Sequence, residues 1–204
     1  MRAGRWGKWE WGLLWGTDVH GKTLGIYGLG HIGQAMARRG RGFSMRIIYH
    51  SRHRISQAVE QELSAEYVGR EALLRESDFL SLHVPLTNLT QHLITVEDLR
   101  QMKPTAFLIN TARGPVVDEE ALVSALQEGA IAGAGLDVFE GEPQVHPVLL
   151  GLSNVVLMPH VGSATAETRF KMALLAAENL LVALQRKRPP NLVNPEVLLT
   201  QPRT

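Results

Sequence analysis

Apolar and polar positions alternate in blocks along this chain. Residues 24–27 form a short β-prone run that ends at a glycine, and residues 32–41 follow with the Ala, Met and Arg content of a helix. Residues 46–50 carry Ile47, Ile48 and Tyr49 in succession. A continuous apolar run suits a strand buried on both faces of a parallel sheet. The blocks repeat: a polar, helix-compatible stretch at 56–63, a short strand at 66–68, a helix at 70–76 and a strand at 78–83 that runs into Val84-Pro85. A helix is expected at 95–102, where Thr95 and Asp98 stand as N-cap and N3 of a near capping box. A strand at 106–110 precedes a helix at 118–128, capped by Asp118 and closed by Gly129. Strands at 131–138 and 155–158 follow, then a long helix from about 164 to 186 that Pro189-Pro190 stops. This alternation predicts an α/β fold: a doubly wound parallel sheet with right-handed crossovers and a C-terminal helix. Ligands of such sheets bind beyond the carboxyl ends of the strands. The residues just after each strand are therefore the ones to inspect.

The first strand ends in Gly28-Leu29-Gly30-His31-Ile32-Gly33 and a helix follows. Strand, three glycines and helix in this order are what a dinucleotide needs. Gly28 permits the tight turn, Gly30 lets backbone approach a pyrophosphate, and Gly33 lets helix pack on strand. The phosphates then lie at a helix N-terminus, where free N–H groups and the helix dipole favour anions. In an NAD-binding unit an acidic residue after the second strand grips the ribose 2′-hydroxyl. Here the second strand is followed by Ser51-Arg52-His53-Arg54, with no Asp or Glu among them. Ser51 can bond a phosphate oxygen, and Arg52 or Arg54 can pair with it. The expected cofactor is therefore NADP(H), with NAD(H) as the alternative.

Composition narrows the chemistry. The chain has 204 residues, room for one large domain, and a formal net charge of +1, which gives no nucleic-acid signal. With no cysteine there is no disulfide, thiolate nucleophile or Cys-type zinc site. No apolar run is long enough for a signal peptide or membrane helix, so a cytoplasmic protein without membrane contact is expected. All four tryptophans, Trp6, Trp9, Trp11 and Trp15, fall in residues 1–20. Such a segment must pack elsewhere. It is expected either as a lid over the domain's own core or as an arm on a second subunit.

The later strand ends carry His83-Val84-Pro85-Leu86-Thr87, Asn110-Thr111-Ala112-Arg113-Gly114, Asp137-Val138-Phe139-Glu140-Gly141-Glu142-Pro143 and Pro159-His160-Val161-Gly162-Ser163. An Arg, a Glu and a His just past three different strands form a coherent set. An Arg can clamp a substrate carboxylate and polarise the neighbouring carbonyl. A His can donate the proton when hydride arrives. A Glu bonded to such a His fixes its orientation and favours its protonated form.

These stretches resemble the D-isomer-specific 2-hydroxyacid dehydrogenase family, and within it the glyoxylate/hydroxypyruvate reductases, 2-ketogluconate reductase type included. Further likeness lies in Gly16-Thr17-Asp18-Val19-His20, in Gly114-Pro115-Val116-Val117-Asp118-Glu119 and in the run from His160 to Arg169. The resemblance implies a Rossmann-type domain at residues 21–163, an entry arm at 1–20, and a C-terminal helix and tail at 164–204. It implies Arg113 as the substrate-binding arginine, Glu142 as the partner of the catalytic histidine (Glu140 the near alternative), and His160 as general acid/base. It implies Asp137 on the nicotinamide carboxamide, with Val84, Pro85, Thr111 and Ala112 lining the cofactor cleft. His31, Ile32, His83, Arg113, His160 and Gly162 complete the expected cofactor contacts. No metal is implied.

Members of that family carry a substrate-binding domain ahead of the segment at which this chain opens. The expectation is a chain without that domain, a cofactor half whose residues 164–204 would pack on it. The expected activity is NADPH-dependent reduction of glyoxylate, hydroxypyruvate or 2-ketogluconate to the D-2-hydroxy acid, in a homodimer formed through the cofactor domain. The alternatives are a dinucleotide-binding module without turnover, and a D-3-phosphoglycerate or D-lactate dehydrogenase, which the basic Ser51–Arg54 loop disfavours.

Overall fold

The computed structural model describes residue 4, residues 6–13 and residues 15–196. The expected tail beyond residue 196 and most of the expected entry segment at residues 1–5 lie outside the described residues. The described part of Met1–His160 is one compact unit, and Val161–Thr204 is a second.

In the first unit seven strands alternate with five helices. In chain order they are β1 (Thr23–Tyr27), α1 (His31–Gly42), β2 (Arg46–His50), α2 (Gln57–Leu63), β3 (Ala65–Tyr67), α3 (Arg70–Glu76), β4 (Phe79–Leu82), α4 (Val96–Gln101), β5 (Phe107–Asn110), α5 (Glu119–Glu128), β6 (Gly133–Leu136) and β7 (Val155–Leu157). All strand pairs are parallel, in the order β3-β2-β1-β4-β5-β6-β7. The order reverses between β1 and β4, which is where a doubly wound sheet binds its ligand.

Both faces of the sheet are covered. Leu24, Ile26, Ile47 and Tyr49 pack with Ala37 of α1 and Leu63 of α2 on one face. Ile48, Leu80, Leu82 and Leu108 pack with Leu73, Leu99 and Leu122 on the other. The apolar succession Ile47-Ile48-Tyr49 thus feeds alternate faces, as a strand's period of two requires. Local chemistry sets the helix ends. Thr95 and Asp98 form the full capping box on α4, and the Asp118 side chain accepts the Ala121 N–H at the start of α5.

Several strands are shorter than the apolar runs that announce them. The sixth covers four residues rather than 131–138, although its bonding continues: Asp137 N–H donates to Asn110 O at 3.0 Å. In the arm, the four indoles are 52–78% exposed, so the lid over the domain's own core is not what the described residues form. Trp9 meets Trp11 edge-to-face, and Trp15 Nε1 donates to Trp11 O.

The second unit is built on α6 (Ala166–Leu184). It starts later than the apolar pattern suggests because Thr165 is its N-cap, accepting the Thr168 N–H. It ends before Arg186, which takes a left-handed φ of +56°. Asn191 pairs with Asn179 through two hydrogen bonds, turning the chain back along the helix. No described helix is long and apolar enough to cross a membrane.

Candidate active site

The glycine turn after β1 is held from both sides. Gly28 has φ +95°, a conformation L side chains rarely adopt, and a Cβ there would lie 2.7 Å from the carbonyl oxygen of His83. A Cβ on Gly33 would lie 2.2 Å from the carbonyl of Gly28, so α1 can approach its strand only with glycine at that position. Ser51 Oγ accepts the Leu29 N–H at 2.8 Å and ties the turn to the end of β2.

Gly30 is different. It is the N-cap of α1, no side chain caps the helix, and a Cβ on it would meet nothing within 4 Å. Open space therefore lies over a helix N-terminus whose first N–H groups lack intrahelical partners. The donor chemistry and the room both fit a dinucleotide pyrophosphate.

Beside this cradle lies a cleft of about 420 Å³, lined by Ile32, His83, Val84, Pro85, Leu86, Thr111, Ala112 and Arg113. Seven of these eight are among the expected cofactor contacts, and Leu86 is the addition. The volume suits a small-molecule site. His83 bonds Ser81 Oγ at 2.9 Å, and burial pushes its imidazole below the usual histidine range, towards the neutral form.

The catalytic candidates stand on three neighbouring strands. Arg113 follows β5, Glu142 follows β6 and His160 follows β7. His160 Nδ1 donates to Glu142 Oε2 at 2.8 Å, and the other carboxylate oxygen accepts the Phe139 N–H at 3.0 Å. The His160 bond, with the Phe139 N–H and the charges of His160 and Arg113, holds the Glu142 carboxyl below the usual carboxylate range against a burial effect of opposite sign. Glu142 therefore stays ionised as an acceptor. Glu140 turns elsewhere: its carboxylate meets His92 Nε2, and its N–H donates to Glu119. His160 has φ +53°, and its N–H donates to Asp137 O at 2.9 Å. That strained backbone fixes the ring where Glu142 can reach it. Asp137 itself is buried. Gly162 lies in the turn Val161–Ala164 of the second unit, closed by Ala164 N–H to Val161 O.

Two supporting residues had no role in the sequence reading. Asn110 is buried, its Nδ2 donates to Arg113 O at 2.9 Å, and its Oδ1 accepts the Ala112 N–H at 3.0 Å. One amide thus shapes the turn that carries Arg113. A Cβ on Gly114 would lie 1.9 Å from the backbone of Phe139, so the turn after β5 sits directly on the loop that leads to Glu142. The only sequence signals were a polar residue closing an apolar run and a glycine after the arginine.

At the end of β2 the structure adds a partner that inspection of the loop alone leaves out. Arg54 makes a two-pronged bond to Glu60 of α2, at 2.7 and 2.8 Å, and lies over the Tyr67 ring. Arg52 instead bonds the neighbouring His53 at 3.2 Å.

Comparison with known proteins identifies the fold and the family. The NAD-binding domain of the D-isomer specific 2-hydroxyacid dehydrogenases matches residues 1–162. The chain is 56% identical to a glyoxylate reductase of Thermococcus litoralis, over 99% of this chain and 62% of that one. Among solved structures, a protein from Thermus thermophilus superposes with a TM-score of 0.88 at 47% identity, covering 94% of this chain and 60% of its own. A glyoxylate reductase from Paecilomyes thermophila superposes with a TM-score of 0.85 at 45% identity, covering 96% and 58%. The chain spans about three-fifths of the length of these relatives. Glycine cradle, cleft and family match converge: the chain belongs to the D-isomer specific 2-hydroxyacid dehydrogenase family and carries its NAD-binding domain.

Proposed function

We propose that this chain carries the cofactor-binding and proton-transfer half of a reductase that converts small 2-keto acids, glyoxylate first and hydroxypyruvate or 2-ketogluconate next, to D-2-hydroxy acids. The observation that supports it best is the Glu142–His160 pair, on strand ends next to that of Arg113 and on the same sheet edge as the dinucleotide cradle. Similarity to relatives named glyoxylate reductase supports glyoxylate as the first substrate to try.

A bound reduced nicotinamide supplies the hydride that the keto carbon accepts. Arg113 binds the substrate carboxylate and polarises the keto oxygen, which takes on negative charge as the carbon is reduced. His160 gives that oxygen its proton. With Nδ1 on Glu142, Nε2 is the ring nitrogen that carries it. Glu142 holds the ring in orientation and stabilises its protonated state. Asp137 is read as the partner of the nicotinamide amide.

NADPH is read as the preferred dinucleotide, since the loop after β2 carries Ser51, Arg52 and Arg54, the last of them paired with Glu60, and no carboxylate of its own. We further read residues 1–20 as an arm, 21–163 as the cofactor domain and 164–204 as a docking helix and tail, in a cytoplasmic homodimer. The exposed indoles of the arm support the dimer.

The test is NADPH oxidation by the 204-residue chain with each keto acid, beside NADPH binding. His160→Ala should lower turnover by about 10³-fold and leave binding within about twofold. Turnover unchanged in that variant would remove His160 from the role. Binding without turnover in the wild type would favour a dinucleotide-binding module.

A further inference from the structure

The loop after β2 carries two arginines, and they are held differently. Ser51 docks the loop on the glycine turn. Arg54 Nε and Nη2 both donate to the Glu60 carboxylate, which also accepts the Tyr49 hydroxyl at 2.6 Å. The Tyr49 hydroxyl in turn accepts the Ile55 N–H at 3.2 Å. The Glu60 side chain is 8% exposed and that of Arg54 62%. The carboxylate is thus the buried partner and the guanidinium its cover. Arg54 is therefore held at three points, by its two bonds to Glu60 and by the Tyr67 ring. Arg52 has no carboxylate paired with it among the described residues and is the cation the loop presents outward.

Resting on the NADPH reading above, we infer that Glu60 sets the choice between the phosphorylated and unphosphorylated dinucleotide by holding Arg54 on Tyr67 and cancelling its charge. The carboxylate that a sequence scan seeks at the end of β2 is supplied from α2 instead. It does not grip a ribose hydroxyl. It limits the positive charge that a ribose 2′-phosphate meets to that of Arg52. The site then prefers NADPH less strongly than two arginines would make it, and NADH remains usable.

Removing the Glu60 charge while keeping its shape should therefore favour NADPH. Nicotinamide fluorescence titrations of the 204-residue chain give Kd for NADPH and for NADH without any turnover. In Glu60→Gln the NADH-to-NADPH Kd ratio should rise about tenfold, and the rise should shrink at high salt. A loss of packing alone would weaken both dinucleotides together and leave the ratio unmoved. If Glu60→Gln fails to fold, Arg54→Gln/Glu60→Gln serves instead, since it removes both charges and keeps the net charge. There the ratio should stay within about threefold of wild type.

A ratio unchanged or lowered in Glu60→Gln overturns the inference while leaving the cofactor reading intact. A tenfold fall in the double variant also overturns it, because Arg54 would then be a phosphate ligand in its own right. Wild-type chain that binds neither dinucleotide overturns both.

Discussion

The carboxyl ends of β5, β6 and β7 and the carboxyl end of β2 belong to one sheet edge, yet they are assembled by different means. At the first, Arg113, Glu142 and His160 are carried on the loops that follow their strands, and the His160 bond to Glu142 joins two of those loops. Asn110 shapes the arginine turn, and Gly114 lets that turn lie on the Phe139 backbone. At the second, the property that matters is how much charge the loop presents, and a side chain from a separate helix decides it. A strand end displays its own residues. Their charge, however, belongs to whatever packs against them.

The largest effect is expected at Arg113. Arg113→Met should lower kcat/KM for glyoxylate by roughly 10²-fold or more, with NADPH affinity little changed. A loss confined to cofactor binding would move Arg113 out of the substrate role. Next comes the support beneath it. Asn110→Ala leaves the Ala112 N–H and the Arg113 carbonyl without their partner, which costs about 1–3 kcal/mol. The melting temperature should fall by several degrees, and kcat/KM should fall about tenfold further than stability explains, because the guanidinium loses its aim. Normal kinetics in the folded variant would show that the turn holds itself.

A smaller effect is expected at the end of β2. Arg54 and then Tyr49 pull the Glu60 carboxyl down from its ordinary 4.5 to about 2. A depressed acid contributes its stability above the ordinary value and loses it as pH falls through the folded one. That contribution is therefore full above about pH 4.5 and disappears between about 4.5 and 2. In Glu60→Gln the melting temperature should fall less steeply across that window than in wild type. An identical acid slope in the two proteins would mean the pair adds nothing to folding.

Most of the sheet was legible in the sequence because buried parallel strands leave continuous apolar runs and helix ends leave caps. Ile47-Ile48-Tyr49, Thr95 with Asp98, and Asp118 with Gly129 each carry that information locally. The ends of β6 and α6 were less legible. There the backbone bonding, or a left-handed residue such as Arg186, decides where an element stops. The glycine cradle and the Glu142–His160 pair could be named because their residues follow strands. Asn110, Gly114 and Glu60 gained no role, because each acts through a contact that no spacing announces. The tryptophan arm marks a limit of a different kind. Its indoles stay exposed, and composition alone left open what they meet.

A dinucleotide is expected to lie across the N-terminus of α1, in the space over Gly30. The most direct measurement is NADPH binding to wild type and to Gly30→Val, with the melting temperature of each. A Cβ at this position meets no protein atom within 4 Å and the backbone there is already extended, so the fold should lose only the poorer N-cap preference of Val. Binding to wild type should be saturable and about 10²-fold weaker in Gly30→Val, with the melting temperature lowered by no more than a few degrees. Equal affinity in the two proteins would contradict this placement.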